Sequence, residues 1–110
     1  MAKFVKGDVV IVPFPFSDLS QSKRRPALVI ADLDGDDLIL RQITSQANKD
    51  QNTISIADND YESGGLKQIS NVRPNRLFTM DSKIVLYRAG KLRKGKMNDI
   101  IGKLIEIINS

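Results

Sequence analysis

The chain of 110 residues contains no cysteine and no histidine. Without cysteine there is no disulfide, no thiolate nucleophile and no cysteine-ligated zinc or iron–sulfur site. Without histidine there is no Ser-His-Asp triad, no histidine-ligated metal and no imidazole acid–base pair. Any catalysis must therefore use arginine, lysine, carboxylates, hydroxyls, backbone dipoles or groups that the substrate carries.

Long apolar segments are missing as well. No run approaches the roughly 20 residues that cross a bilayer, and residues 1–8 lack the apolar segment of a signal peptide. The sequence therefore predicts a cytoplasmic protein that does not associate with membranes. Its length and its 41% hydrophobic residues fit one compact core, so we expect a single domain over residues 1–110.

The charge is unevenly spread along the chain. The formal net charge is +4, but residues 32–62 carry −6 and the remainder carries +10. A basic surface that faces away from an acidic one is expected for a protein that binds a polyanion. Solvated charged faces explain the same pattern, and charge alone does not separate the two interpretations.

Short apolar runs separated by turn residues predict a mainly β protein. Strands are predicted at 9–12, 26–31, 37–44, 53–56, 66–72 and 76–80. The first is a β-branched run that predicts a strand covered on both faces, ended by Pro13 and Pro15. Pro74 is expected to separate the last two strands, Gly35 to form a hairpin turn, and residues 61–65 to interrupt the strands. Residues 83–87 fit a strand or one helical turn, and the spacing is typical of a small barrel or sandwich.

Only the last segment has a helical period. One apolar stripe is formed by Met97, Ile100, Ile101, Leu104, Ile105 and Ile108. The sequence thus predicts one β-barrel closed by a C-terminal amphipathic helix.

Three local patterns together resemble the PemK/MazF family of toxin endoribonucleases. They are Gly7-Asp8 before a β-branched run, a loop that ends in Arg25-Pro26, and a strand that ends in Ile43-Thr44. Thr79-Met80-Asp81 and the terminal helix extend the resemblance over nearly the whole chain. The resemblance implies an SH3-like barrel and a homodimeric toxin of a type II toxin–antitoxin system. It also implies sequence-specific cleavage of single-stranded mRNA without a metal or cofactor, blocked by a cognate antitoxin.

The catalytic pair that the resemblance implies is Arg25 and Thr44. The expected products are a 2′,3′-cyclic phosphate and a 5′-OH end. This chemistry agrees with the missing histidine and cysteine, because RNA brings its own nucleophile, the 2′-OH. Arginine presents a planar fork of donors that matches a phosphate. An arginine side chain gives up its proton only at very high pH, which makes it an electrostatic stabiliser rather than a general base.

Further RNA contacts are expected around this pair. The ring of Phe16 can stack on an unpaired base, although packing in the barrel core is the alternative. The resemblance implies contacts from Ser17, Ser20, Gln21, Ser22, Arg24, Ser45, Arg73 and Asn75. Some family members carry an acidic residue at the position of Asn75, so this chain lacks that carboxylate as a proton acceptor.

A non-catalytic binder on the same fold is the alternative function. Gyrase-poisoning toxins share the fold and hold their target with a C-terminal tryptophan, which this chain lacks. An inactive family member that only binds RNA or a partner also fits, because the change at Asn75 is compatible with a lost activity.

Overall fold

A computed structural model describes residues 3–15, 22–44, 53–66 and 69–110, with the backbone alone at 14, 15, 22, 23 and 73–76. The strands are β1 (Asp8–Pro15), β2 (Ser22–Asp32), β3 (Asp37–Thr44), β4 (Ile54–Ile56), β5 (Tyr61–Gly64), β6 (Ser70–Asp81) and β7 (Tyr87–Leu92). The α-helix is α1 (Lys94–Ile108), and short 3₁₀ helices span Asp58–Asp60 and Ser82–Ile84. These elements confirm the predicted class, a mainly β fold with one C-terminal helix.

The strands form one antiparallel sheet in the order β4-β6-β3-β2-β1-β7-β5. Only residues 57–60 connect its two edge strands, β4 and β5. These residues reach at most about 17 Å, whereas seven flat strands would separate the edges by roughly 29 Å. The sheet must therefore curl until its edges approach each other, and it forms the half-barrel of the predicted SH3-like type.

The two faces of the sheet carry separate cores because neighbouring strand residues point to opposite faces. Val9 packs in one core with Met97 and Ile100 of α1, and we call this the helix-side core. Val10 and Val12 pack in the other, which we call the second core. Both sets are fully or almost fully buried, so the prediction that β1 is covered on both faces is confirmed.

Pro13 and Pro15 do not end β1, contrary to the sequence-based expectation. The ladder with β2 continues through Pro13 opposite Arg24 and Pro15 opposite Ser22. The carbonyl oxygen of Ile11 accepts a hydrogen bond from Leu86 N at 2.9 Å, on the side away from β2. Pro13 and Pro15 follow Ile11 by two and four residues, so their backbone N atoms point to the same side of β1 as the Ile11 carbonyl oxygen. On that side the pairing with β7 stops at Ile11. Their missing N–H groups therefore remove no ladder bond.

Residues 70–81 form one strand, β6, where two were predicted. Pro74 does mark a change, because the register with β3 moves from Leu77 opposite Arg41 to Val72 opposite Ile43. Residues 73–76 are thus extra residues of a bulge, which accommodates a proline without ending the strand. The prediction for residues 61–65 was also wrong, since β5 pairs with β7 there.

The apolar stripe of α1 is only partly covered by the sheet. Met97 and Ile100 are buried in the helix-side core, whereas Ile105 and Ile108 are 52% and 67% exposed. The helix thus covers the core with its first turns and presents apolar side chains at its end. Within the described ranges, no helix is long and apolar enough to cross a membrane.

Among the side chains that the structure describes, Asp8 and Arg41 are charged and buried in the sheet. Asp8 is 1% exposed, accepts a hydrogen bond from Val5 N at 2.9 Å and pairs with Arg88 at 3.1 Å. Arg41 is also 1% exposed and lies between Ile39 and Ile43 on the strand face of the helix-side core. Burial lowers the pKa of Arg41 from its ordinary value.

Candidate functional site

The register of β2 and β3 brings Arg25 and Thr44 together. Ala27 lies opposite Gln42, and Leu28 lies opposite Arg41. When this antiparallel register is continued by two residues, Arg25 lies opposite Thr44, the last residue of β3. The two side chains predicted as a catalytic pair therefore lie at the same end of adjacent strands, two residues beyond the last pair of this ladder.

Arg25 and Thr44 also share one face of the sheet. Side chains two or four residues apart in a strand point to the same face. Arg25 therefore shares the face of Ala27 in β2, and Thr44 shares the face of Leu40 in β3. Ala27 and Leu40 both belong to the second core. Arg25 and Thr44 are half-buried, and Arg25 Nε is buried. The pair thus continues the second core at the end of the strands, where its apolar side chains give way to polar ones.

Two further polar side chains extend this pair across the sheet. Asn71 of β6 lies opposite Thr44, and Ser55 of β4 lies opposite Asn71. Ser55 Oγ donates a hydrogen bond to Asn71 Oδ1 at 2.9 Å. Arg25, Thr44, Asn71 and Ser55 thus form a line over four adjacent strands, which we call the polar row. Its length is on the order of 14 Å at the usual strand spacing.

The polar row opens toward one edge of the sheet. Opposite Arg25 on the other side is Val12 of β1, which is fully buried. Thr44 and Asn71 are half-buried, and Ser55 is exposed on the edge strand β4. Among its described residues, the row is therefore most exposed on the side of β4, with Arg25 at its more enclosed end.

Ser55 and Asn71 were not predicted from the sequence as site residues. Alternation in the predicted strand 53–56 gave the outward direction of Ser55, but nothing local indicates which strand lies beside it. Their place beside Thr44 depends on the pairing of β3, β6 and β4, which joins residues far apart in the chain.

The other predicted RNA-contacting residues fall into three groups. Arg24 is exposed and alternates with Arg25, so it faces the opposite side of the sheet and does not join the polar row. The backbone positions Ser22 opposite Pro15, and Arg73 and Asn75 in the bulge of β6 just after Asn71. Outside the described residues lie Phe16, Ser17, Ser20, Gln21 and Ser45.

Four acidic residues of segment 32–62 lie at the other end of the hairpin formed by β2 and β3. The turn between β2 and β3 carries Asp34 and Asp36, with Asp32 and Asp37 at the strand ends, and Gly35 there has a φ of 83°, as a tight turn requires. From Arg25 to Asp32 the strand is about 23 Å long, whereas charges are screened within about 8 Å at physiological salt. The acidic turn therefore does not repel an anion at the polar row.

A cavity of about 340 Å³ lies at this acidic end, and its lining includes Phe4, Leu33, Asp36, Asp37 and Lys83. Lys83 pairs with Asp36 at 3.4 Å. Carboxylates at its mouth oppose the binding of a phosphate. In the part of the chain that the structure describes, no cluster of three or more carboxylates could hold a metal ion.

The polar row and the curled sheet define the class of protein. A family model described as the PemK-like, MazF-like toxin of type II toxin–antitoxin systems matches residues 5–108. The chain therefore belongs to the PemK/MazF toxin family, which confirms the resemblance seen in its motifs. No curated protein sequence matches the chain.

Solved structures with the same fold include toxins bound to antitoxins. An endoribonuclease in complex with its cognate antitoxin from a mycobacterial species is 13% identical, with a TM-score of 0.76, over 99% of this chain and 96% of that one. A MazE–MazF structure from Deinococcus radiodurans is 17% identical, with a TM-score of 0.77, over 96% of this chain and 95% of that one. The Mycobacterium tuberculosis toxin MazF-mt6 is 15% identical, with a TM-score of 0.73, over 93% of this chain and 96% of that one. At these identities the likeness shows a shared fold.

Proposed function

We propose that this chain is a toxin that cleaves single-stranded mRNA by attack of the RNA's own 2′-OH, without a metal ion. The observation that carries the proposal is the polar row, in which Arg25 and Thr44 share a face at the same end of β2 and β3. Family membership supports it, since solved structures of this fold include endoribonucleases. The reaction needs no side chain of the types that the sequence lacks.

Arg25 holds the scissile phosphate in this mechanism. Its guanidinium can donate two parallel hydrogen bonds to the phosphoryl oxygens and keeps its charge at any physiological pH. Because Arg25 is half-buried at the enclosed end of the row, its charge is screened less by water than that of an exposed arginine. It stabilises the negative charge that builds on the phosphoryl oxygens, an effect commonly worth about 3–4 kcal/mol in the transition state.

Thr44 orients the reacting groups beside Arg25. Its hydroxyl can donate to a phosphoryl oxygen or accept from the 2′-OH, and its backbone position at the end of β3 is held by pairing with Asn71 of β6. The 2′-oxygen gives up its proton and attacks phosphorus, the bond to the 5′-oxygen breaks, and that oxygen takes up a proton and leaves as a hydroxyl. The net step thus moves one proton from the 2′-oxygen to the 5′-oxygen. The products are a 2′,3′-cyclic phosphate and a 5′-OH end. Alignment of this kind accounts for a large part of such rate enhancements.

Cleavage in the presence of EDTA tests the proposal. Purified protein incubated with single-stranded RNA and EDTA is expected to give discrete cuts, which sequencing of the new 5′ ends would locate. Cuts that appear only after Mg²⁺ is added would contradict the metal-independent mechanism. Binding of RNA without any cleavage would favour the alternative of an inactive RNA-binding family member.

The partners that we propose are a cognate antitoxin and a second copy of the chain, in the cytoplasm and with residues 1–110 acting as one domain. Structures of this fold that contain MazE with MazF support the antitoxin. Exposed apolar side chains that a protein partner could cover are Leu86, Tyr87, Ile105 and Ile108.

A further inference from the structure

The polar row continues beyond the proposed catalytic pair onto β6 and β4. Asn71 and Ser55 occupy neighbouring strands on the side where the row opens. Neither side chain has a place in the cleavage step described above. The direct hydrogen bond between them, 2.9 Å from Ser55 Oγ to Asn71 Oδ1, is the observation from which their role follows.

This hydrogen bond restrains the Asn71 carboxamide. Because Oδ1 accepts from Ser55 on β4, the Nδ2 group is on the other side of the carboxamide, away from that strand. A rotation by 180° would instead let Nδ2 donate to Ser55 Oγ, since a hydroxyl also accepts. In either orientation the bond to Ser55 holds the carboxamide in place beside Thr44.

We propose that Asn71 reads the base next to the scissile phosphate and that Ser55 positions Asn71 for this contact. This inference rests on the ribonuclease function proposed above and adds a specificity-determining residue to it. Unpaired bases present their edges to side chains in single-stranded RNA, and hydrogen bonds to these edges carry sequence information. A carboxamide can donate to a ring nitrogen or a carbonyl oxygen of a base and accept from its amino group, so the contact selects a base by its pattern of donors and acceptors.

The position of Asn71 in the row fits a base rather than the reacting phosphate. It lies two strands from Arg25, on the order of 10 Å away at the usual strand spacing. Asn71 is half-buried, and Ser55 is exposed at the open end of the row. A base that enters from the edge strand therefore meets Asn71 before its phosphate reaches Arg25.

Asn71→Asp separates this role from a structural one. The variant is nearly isosteric and keeps an oxygen that accepts from Ser55, but it replaces the two N–H donors with an acceptor. The base preference is expected to move toward bases that donate a hydrogen bond at this position, as the amino groups of adenine, cytosine and guanine can. Asn71→Ala is expected to lose about tenfold or more of the selectivity at this one position. A change that only weakened the fold would lower cleavage at all sites alike.

Ser55 variants test the positioning role. Ser55→Ala is expected to relax the preference at the same position as Asn71→Ala, with a smaller effect. Ser55→Thr keeps the hydroxyl and is expected to restore the wild-type preference. Ser63→Ala is the matched control, because Ser63 is an exposed serine on the opposite edge strand, β5.

The experiment compares the cut sites of these variants on a pool of random single-stranded RNA, read from the 5′ ends of the products. Identical base preferences in wild type, Asn71→Ala and Asn71→Asp would overturn the assignment of Asn71 while leaving the ribonuclease function intact. A preference unchanged in Ser55→Ala would overturn the role of Ser55.

A binding measurement keeps the test independent of cleavage. Fluorescence anisotropy with short oligonucleotides that differ at one base, made uncleavable by 2′-deoxy sugars, compares wild type with Asn71→Asp. A reversed order of affinities supports the proposal, and the same order in both proteins contradicts it. If wild type cuts no RNA, the ribonuclease function fails, and the order of affinities still decides the role of Asn71.

Discussion

Replacing Arg25 with alanine is expected to slow the cleavage of single-stranded RNA by at least about 10²-fold. The loss has a physical reason, because no other basic side chain belongs to the polar row of Arg25, Thr44, Asn71 and Ser55. Arg25→Lys is expected to fall between wild type and Arg25→Ala, since an ammonium keeps the charge but not the planar fork. Single-turnover cleavage with saturating protein measures the chemical step alone.

Two comparisons make this result specific. Arg93→Ala removes the same charge from an exposed arginine whose Nε donates to Asn59 O at 3.1 Å, and its cleavage rate is expected to match wild type. Thr44→Val is also expected to lower the rate of cleavage. The double variant Arg25→Ala/Thr44→Val is expected to cleave only a little more slowly than Arg25→Ala alone. Residues that act on one phosphate as a unit are not additive. Equal rates for wild type and Arg25→Ala would remove Arg25 from the mechanism.

Gly90→Ala is expected to lower the free energy of unfolding by about 3 kcal/mol, near the upper end of what overpacking costs. Gly90 lies in β7 between Val9 of β1 and Gly64 of β5. A Cβ atom there would lie 2.6 Å from Gly65 N and 2.9 Å from Ser63 O. Both are backbone atoms, so β5 would have to move away from β7 and the edge of the half-barrel would open. Urea denaturation measures the change.

Gly102→Ala provides the opposite control. Gly102 is exposed in α1, and a Cβ there would meet nothing within 4 Å. Alanine is a better helix former than glycine by about 1 kcal/mol, so this variant is expected to be more stable than wild type. A Gly90→Ala protein as stable as wild type would show that the strands do not need this close approach.

Local patterns in the sequence were sufficient to predict the class of fold and the helix. The stripe from Met97 to Ile108 has a clear helical period, and the buried run from Val9 to Val12 is too apolar for a half-exposed strand. Both features depend on residues close together in the chain. The catalytic pair of Arg25 and Thr44 came from motifs that resemble a family and stays a prediction, and the structure places both residues at the same end of β2 and β3.

The features that the sequence did not reveal all depend on strand pairing. Pro13 was expected to end a strand, but a proline ends a ladder only if its N–H side faces a partner, and β7 no longer pairs with β1 at that point. The single strand β6 needed a bulge at Pro74 that only its pairing with β3 reveals. Asn71 and Ser55 joined the site for the same reason, because β6 and β4 bring them beside Thr44.

One substituted substrate tests most directly whether the RNA supplies the nucleophile at this site. A single-stranded RNA with one 2′-deoxy nucleotide on the 5′ side of the mapped cut site lacks only the attacking hydroxyl. The account predicts that wild-type protein binds this RNA as tightly as the unmodified one and leaves that bond intact. Cleavage of the same bond in the modified RNA would contradict the account, since the nucleophile would then have to come from water or from the protein.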